Sequence, residues 1–193
     1  MLVVQFQCTL CGECCKWYWI PLTHLDTLRL KMYGSHDLNR ILDLKEAEED
    51  DEFTVEVEEG RYRLALARIE DLCVFLNDGK CMVHSYKPLA CRFYPFMYSV
   101  GYDGRIIVEV NSEAVGRCPG LKIDSKIIPR DLMESLRRLA KVRILEKQLW
   151  KNTIKAWNEN CGRRRSLKEL VRFIINRAEI DMKDLLKMGV WIK

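Results

Sequence analysis

The sequence predicts an α+β fold, with small antiparallel sheets holding cysteine-rich metal-binding loops and an α-helical C-terminal module. Three observations predict it. Short segments that alternate apolar and polar residues are separated by Gly-containing turns in the first two-thirds of the chain. Eight of the nine cysteines lie in that part, between Cys8 and Cys118. Residues 130–158 then run without Gly or Pro and repeat apolar residues at helical spacing. Charge divides at the same place: residues 1–128 carry 15 Lys+Arg against 20 Asp+Glu, and residues 129–193 carry 17 against 8. The expected organisation is therefore a cysteine-cluster metal-binding module at 1–124 and a basic α-helical module at 125–193.

The elements follow in order. Val3 to Gln7 reads as a strand entering the first cysteine loop, and Lys16 to Ile20 as another, with Trp17 and Trp19 on one face. Thr23 with Asp26 forms a helix-capping pattern, Leu25, Leu28 and Met32 continue it, and Gly34 ends it. Asp37 to Ala47 predicts a second helix, with Leu38, Ile41, Leu42 and Lys45 at helical offsets, running into the acidic loop Glu48 to Glu52. Phe53 to Val57 and Tyr62 to Leu66 alternate around Glu59-Gly60 as a hairpin. Leu72 to Leu76 predicts a strand closed by the Asn77-Asp78-Gly79 turn. Phe96 to Val100 and Arg105 to Val110 flank Asp103-Gly104 as a further hairpin. Pro129 suits the first position of a long helix, with Leu132, Leu136, Leu139, Trp150, Ile154 and Trp157 on one face and Gly162 as terminator. Ser166 with Glu169 caps the next helix, and a short third helix is expected after Asp181.

Composition restricts the functional classes. Hydrophobic residues at 48% and charged residues at 31% suit a soluble globular protein. No apolar run approaches the ~20 residues of a membrane span. The N-terminus has neither a basic leader nor a long apolar stretch, so the expected location is cytoplasmic, with no membrane partner. In a reducing cytosol nine cysteines point to metal or redox chemistry rather than a disulfide framework.

The sharpest motif is Cys8-Thr-Leu-Cys11-Gly-Glu-Cys14-Cys15. Two-residue gaps let one tight loop present several thiolates to one ion, and Gly12 permits the turn. Thiolates are soft donors that select zinc or iron–sulfur clusters over magnesium or calcium. The C-x-x-C-x-x-C spacing also opens a bacterial ferredoxin cluster loop, for which Cys118, followed by Pro119, offers a fourth ligand. A second group comprises Cys73, Cys81, His84 and Cys91. Cys73 and Cys81 straddle the Asn-Asp-Gly turn, and Cys81 and His84 stand at a common metal-ligand spacing. Cys14 and Cys15 point in different directions in an extended chain, so one ligates while the other packs, or each serves its own centre.

The pattern CTLCGECC, then C…C-x-x-H…KPLACRFYP and a later Cys, resembles the YkgJ-like cysteine-cluster family over about residues 8–120. The resemblance implies a zinc- or iron-chelating protein, often labelled an iron–sulfur oxidoreductase. It implicates Cys8, Cys11, Cys14, Cys15, Cys73, Cys81, Cys91 and Cys118, with His84 beside them. Lys87 stands where the family more often has Arg, which keeps the charge without the planar fork. Flagellin lysine methylases carry a similar cysteine domain, but the sequence has no nucleotide-binding glycine loop to support methyl transfer.

The leading expectation is an iron–sulfur cluster, [4Fe–4S] in type, with a redox or electron-transfer role and a redox partner protein. Cys8, Cys11, Cys14 and Cys118 are expected in one centre, and Cys73, Cys81 and Cys91 with Cys15 or His84 in another. The rival is a zinc-stabilised binding module contacting nucleic acid or an acidic partner through its basic helices, near Arg163-Arg164-Arg165, Lys151, Lys155, Lys168 and Arg172. A third reading is a metal-dependent modifying enzyme. Cys161 is read as a free thiol, and His24 and His36 as surface or capping residues rather than ligands.

Overall fold

A computed structural model describes residues 3–58, 60–125, 127–159 and 166–193. Glu59, Cys161, Gly162 and Arg163 to Arg165, singled out above, lie outside these residues. In chain order the elements are β1 (Val4–Phe6), α1 (Glu13–Trp17), α2 (His24–Gly34), α3 (Leu38–Ile41), β2 (Leu42–Glu46), β3 (Val55–Val57) and β4 (Gly60–Leu66). Four two-residue strands follow: β5 (Arg68–Ile69), β6 (Leu72–Cys73), β7 (Leu76–Asn77) and β8 (Lys80–Cys81). Then come α4 (Leu89–Phe93), β9 (Phe96–Val100), β10 (Ile106–Val110), β11 (Leu121–Ile123), α5 (Arg130–Glu159) and α6 (Leu167–Lys187). The fold is thus mixed α+β, with several small antiparallel sheets before two long helices.

The largest sheet has the order β2-β4-β3. Its pairing of Val57 with Gly60 forms the expected hairpin, and β9 pairs with β10 as the second. Strand β1 pairs with the distant β11, matching Val4 with Ile123 and Phe6 with Leu121.

Four local expectations are corrected. The strand expected over Leu72 to Leu76 is broken by a turn into β6 and β7. The segment expected as a helix at 37–47 is helical only over Leu38–Ile41 and then becomes β2. Leu42 is buried, Asp43 exposed and Leu44 half-buried, a two-residue period that β4 captures by pairing Leu42 with Leu66. The strand expected at 16–20 is replaced by α1, because the Gly12 turn starts a helix in which Glu13 contacts Lys16 at 2.6 Å. The expected third C-terminal helix is no separate element, since α6 continues through Asp181 to Lys187.

Helix α2 shows why local propensity alone does not set this fold. Its first seven residues, His24 to Leu30, are all buried, polar ones included. Thr23 caps it reciprocally with Asp26, satisfying backbone donors at the buried end. One hydrophobic cluster joins Leu25 and Leu28 of α2, Leu64 and Val55 of the sheet, Trp150 and Trp157 of α5, and Leu170 and Ile174 of α6. Cys15, Cys73 and Phe75 belong to the same cluster. The end of α5 is tied to β3, where Trp157 Nε1 donates to the Glu56 carbonyl at 2.7 Å. A second cluster packs Phe93, Phe96 and Val108 against Leu136 and Ala140 of α5.

Buried charges cross-link these layers. Arg29 donates to both carboxylate oxygens of Glu146, to Asp26 at 3.3 Å and, through Nε, to the Ile192 carbonyl at 2.6 Å. Fully buried ions persist only when paired and hydrogen-bonded in this way. His24, expected at the surface, is fully buried. It hydrogen-bonds Asp181 of α6 at 2.8 Å and stacks on Trp150 at 5.5 Å.

Candidate metal centre

The cysteine loop is held by backbone contacts that only small residues allow. Gly12 has φ +69°, a left-handed conformation that favours glycine. A Cβ there would lie 2.6 Å from the Gly79 carbonyl oxygen and 2.6 Å from Leu76. The loop therefore seats directly on the β7–β8 turn, where Asp78 and Gly79 both have positive φ, as a tight two-residue hairpin requires. Cys14 and Cys15 lie on α1, and Cys81 on β8, so this seat brings the first motif to the second. At the other end, Gln7 N–H donates to the Gly120 carbonyl at 3.0 Å. A Cβ on Gly120 would lie 2.0 Å from the Gln7 carbonyl oxygen. That close approach brings Cys8, just after β1, to Cys118, just before β11.

Cys91 and His84 come from the segment between these anchors. The backbone N–H of Leu89, opening α4, donates to Asp26 Oδ1 at 2.9 Å, which ties the Cys91 turn to α2. Arg92 Nε donates to the Lys87 carbonyl at 2.9 Å. His84 sits in a short 3₁₀ turn, His84–Tyr86. Its Nε2 is buried and has no hydrogen-bond partner among the described residues.

All nine residues singled out from the sequence line one cavity of about 370 Å³. All eight described cysteines are free thiols. Cys15, Cys73 and Cys118 are buried, Cys11, Cys14, Cys81 and Cys91 half-buried, and Cys8 exposed. The rest of the wall is largely apolar and aromatic, including Tyr18, Phe93, Tyr94 and Phe96. Among the described residues, no three Cys, His, Asp or Glu side chains already surround a single ion-sized point. The donors share a wall without forming a finished polyhedron.

The sulfurs fall into two sets. Cys15 is in hydrogen-bonding contact with Cys14, Cys73 and Cys81. Hydrogen bonding from Cys15 lowers the Cys14 pKa to about 7 against the opposing effect of burial, and the Lys87 charge helps. The same hydrogen bonding, with the Val83 backbone and Lys87, lowers Cys81 to about 6 although burial opposes it. Cys73 is also lowered, through Cys15 first. Cys15 itself is pushed far up by those three neighbours. Cys91 is raised by burial and then by the charges of Cys14, Cys73 and Cys81, so it stands in the field of this set. Cys118 is raised by burial and by Cys11 and Cys8, which mark the second set. Cys14, grouped by spacing with Cys8 and Cys11, thus touches the other set through Cys15. Tyr94 feels both Cys118 and Cys14 and so stands near both sets.

This donor set fits a thiophilic metal. Several thiolates held close at neutral pH repel one another unless a cation lies among them. Burial, Lys87 and Arg92 all lower the His84 pKa, leaving a neutral imidazole with a free lone pair, the ligating form.

Sequence reasoning did not find two cationic residues on the cavity wall, Arg143 and Lys147 of α5. Their spacing reads as an ordinary solvated helical face, and only the packing of α5 over the cavity distinguishes them.

Fold and site together define the class: an α+β protein built around a cysteine cluster. The chain belongs to the CxxCxxCC family, described as a "Putative zinc- or iron-chelating domain", whose model matches residues 7–119. An uncharacterized protein of Methanocaldococcus jannaschii is 28% identical over 132 residues, which cover 65% of this chain and 41% of that relative. This chain therefore spans well under half of that relative's length. No solved structure gives a significant match. The helices α5 and α6 lie beyond the matched segment.

Proposed function

We propose that the chain carries an iron–sulfur cluster in a redox or electron-transfer role. The observation that carries this reading is eight free thiols on the wall of one largely apolar cavity. Four thiolates hold a [4Fe–4S] cluster, and Cys14, Cys73 and Cys81 are each neighbours of Cys15. Cys91 stands beside that set, and Cys8, Cys11 and Cys118 are the donors of a further centre. A bound cluster supplies one-electron chemistry. The aromatic side chains of Tyr18, Phe93, Tyr94 and Phe96 line the cavity with the sulfurs, and solvent exposure is a main control on reduction potential. Lys87 lowers the charge cost of gathering thiolates.

One observation favours a second reading. The orphaned Nε2 of His84 offers imidazole beside thiolates, and a mixed Cys/His set is a structural zinc arrangement. Zinc would then stabilise a binding module rather than serve redox chemistry. Anaerobic purification with an absorption spectrum and metal and sulfide analysis separates the two. The iron–sulfur reading expects brown protein with iron and acid-labile sulfide. Colourless protein with stoichiometric zinc and no sulfide overturns it.

A further inference from the structure

The cavity wall opposite in character to the cysteines comes from α5, outside the segment matched by the family model. Arg143 and Lys147 stand four residues apart on one helix face, half-buried at the cavity. Like charges at this spacing repel. Among the described residues neither forms an ion pair, and the nearby carboxylates are engaged elsewhere. Glu52 pairs with Lys151 at 2.6 Å, and Asp26 and Glu146 pair with Arg29. The Arg143 guanidinium lies 6.0 Å from the Tyr98 ring and acts on its hydroxyl, and Lys147 Nζ lies 4.9 Å from the Phe53 ring. A smaller recess of about 70 Å³ is also lined by Arg143 and Lys147, with Arg63 beside them.

We infer that this cavity is a binding site for a small organic anion, its acid group held by Arg143 and Lys147 and its apolar body lying along the aromatic wall beside the cysteines. The cavity of about 370 Å³, part of which the cysteine-bound metal would take, combines apolar walls with a few polar groups, as small-molecule pockets do. An acid group between the two cations would replace their mutual repulsion with charge-assisted hydrogen bonds. Burial, then Arg143 and Arg63, lower the Lys147 pKa, and the Glu52 carboxylate acts the other way. The inference rests on the metal-centre reading for one thing, the fixed position of the cysteine wall.

The test is calorimetric titration of the purified, metal-analysed protein with phenylacetate and phenyl phosphate, with 2-phenylethanol, acetate and inorganic phosphate as comparisons. At least one aryl anion is expected to bind saturably at one per chain, and the comparisons at least tenfold more weakly. The preferred aryl anion identifies the acid group. Arg143→Gln and Lys147→Gln should each weaken that binding at least tenfold with unchanged circular dichroism. Lys155→Gln, on the exposed part of α5, should leave it unchanged. The inference is overturned if neither aryl anion saturates at millimolar concentration, if 2-phenylethanol binds as well, or if both folded variants bind as the parent does. Stoichiometric metal without aryl-anion binding overturns the pocket alone. Aryl-anion binding by metal-free protein overturns that dependence on the metal centre and leaves the pocket standing.

Discussion

Single residues set the geometry of the cysteine site from outside the cysteines themselves. Gly12 combines a left-handed backbone with contact against the Gly79 carbonyl, and both constraints act on an added methyl group. Gly12→Ala is therefore expected to cost about 1–3 kcal/mol of stability and to loosen the seat of α1 on the β7–β8 turn. Thermal unfolding checks the first effect, and metal content per chain checks the second. Gly79 has nothing within 4 Å of an added Cβ, so Gly79→Ala should show only the cost of its positive φ. His24 supplies a pH-dependent prediction. Burial lowers its pKa, although Asp181 and Asp26 pull the other way, and Arg177 adds to the lowering. With Nε2–H donating to Asp181, its Nδ1 is buried without a partner among the described residues, so the neutral ring fits the site. Below the ordinary histidine pKa of about 6.5, the unfolded chain binds a proton that the folded chain refuses. The contribution of His24 is thus present above that pH and is lost as pH falls toward its depressed folded value. Urea midpoints between pH 7 and pH 5 should fall less steeply in His24→Gln than in the parent, and parallel slopes would remove His24 as a cause.

At the scale of elements, Thr23 is the clearest lever. Its side chain accepts from Asp26 N–H at 3.1 Å, and Asp26 accepts from Thr23 N–H at 3.2 Å. Thr23→Ala should cost about 1 kcal/mol, whereas Thr23→Ser keeps the oxygen and should cost much less; chemical denaturation measures both. That cap was legible in the sequence because a capping box is a local pattern. The hairpins at 55–66 and 96–110 were legible for the same reason, with alternation and turn residues standing side by side. The helix expected at 37–47 was not, because Leu38, Ile41 and Leu42 satisfy a helical period while Leu42 and Leu44 also satisfy a strand period. Pairing with β4 decides between them, and β4 lies some twenty residues away in sequence. The nine candidate donors were legible by residue type and spacing, and the structure gathers them on one cavity wall. What spacing did not reveal was the contact of Cys14 with Cys15, because α1 winds Cys14 and Cys15 into a helical turn where an extended chain was expected. Arg143 and Lys147 were illegible because nothing local distinguishes a helical cation facing a cavity from one facing water.

At the scale of the molecule, the cysteine region and the long helices share their interior. Cys15, Cys73 and Phe75 lie in the same hydrophobic cluster as Trp150, Trp157 and Ile174. The Asp26 carboxylate accepts from Leu89 N–H, which opens the turn carrying Cys91, and from Arg29, which also holds Glu146 of α5. A metal bound at the cysteines therefore stabilises elements that the helices also need. A ligand that binds only the native state adds RT ln(1 + [L]/Kd), about 4 kcal/mol at a thousandfold excess over Kd. For a chain of this length that corresponds to a rise in melting temperature on the order of 10 °C. Removing metal with a chelator should lower the melting temperature by that amount, and the far-ultraviolet signal, dominated by α5 and α6, should move with it in one transition. Near-ultraviolet dichroism reports Trp17, Trp19, Trp150, Trp157 and Trp191 and should give the same midpoint. Two separated transitions, with the helical one unmoved by chelation, would show that the helices are stable independently of the cysteine site and that the shared interior does not couple them.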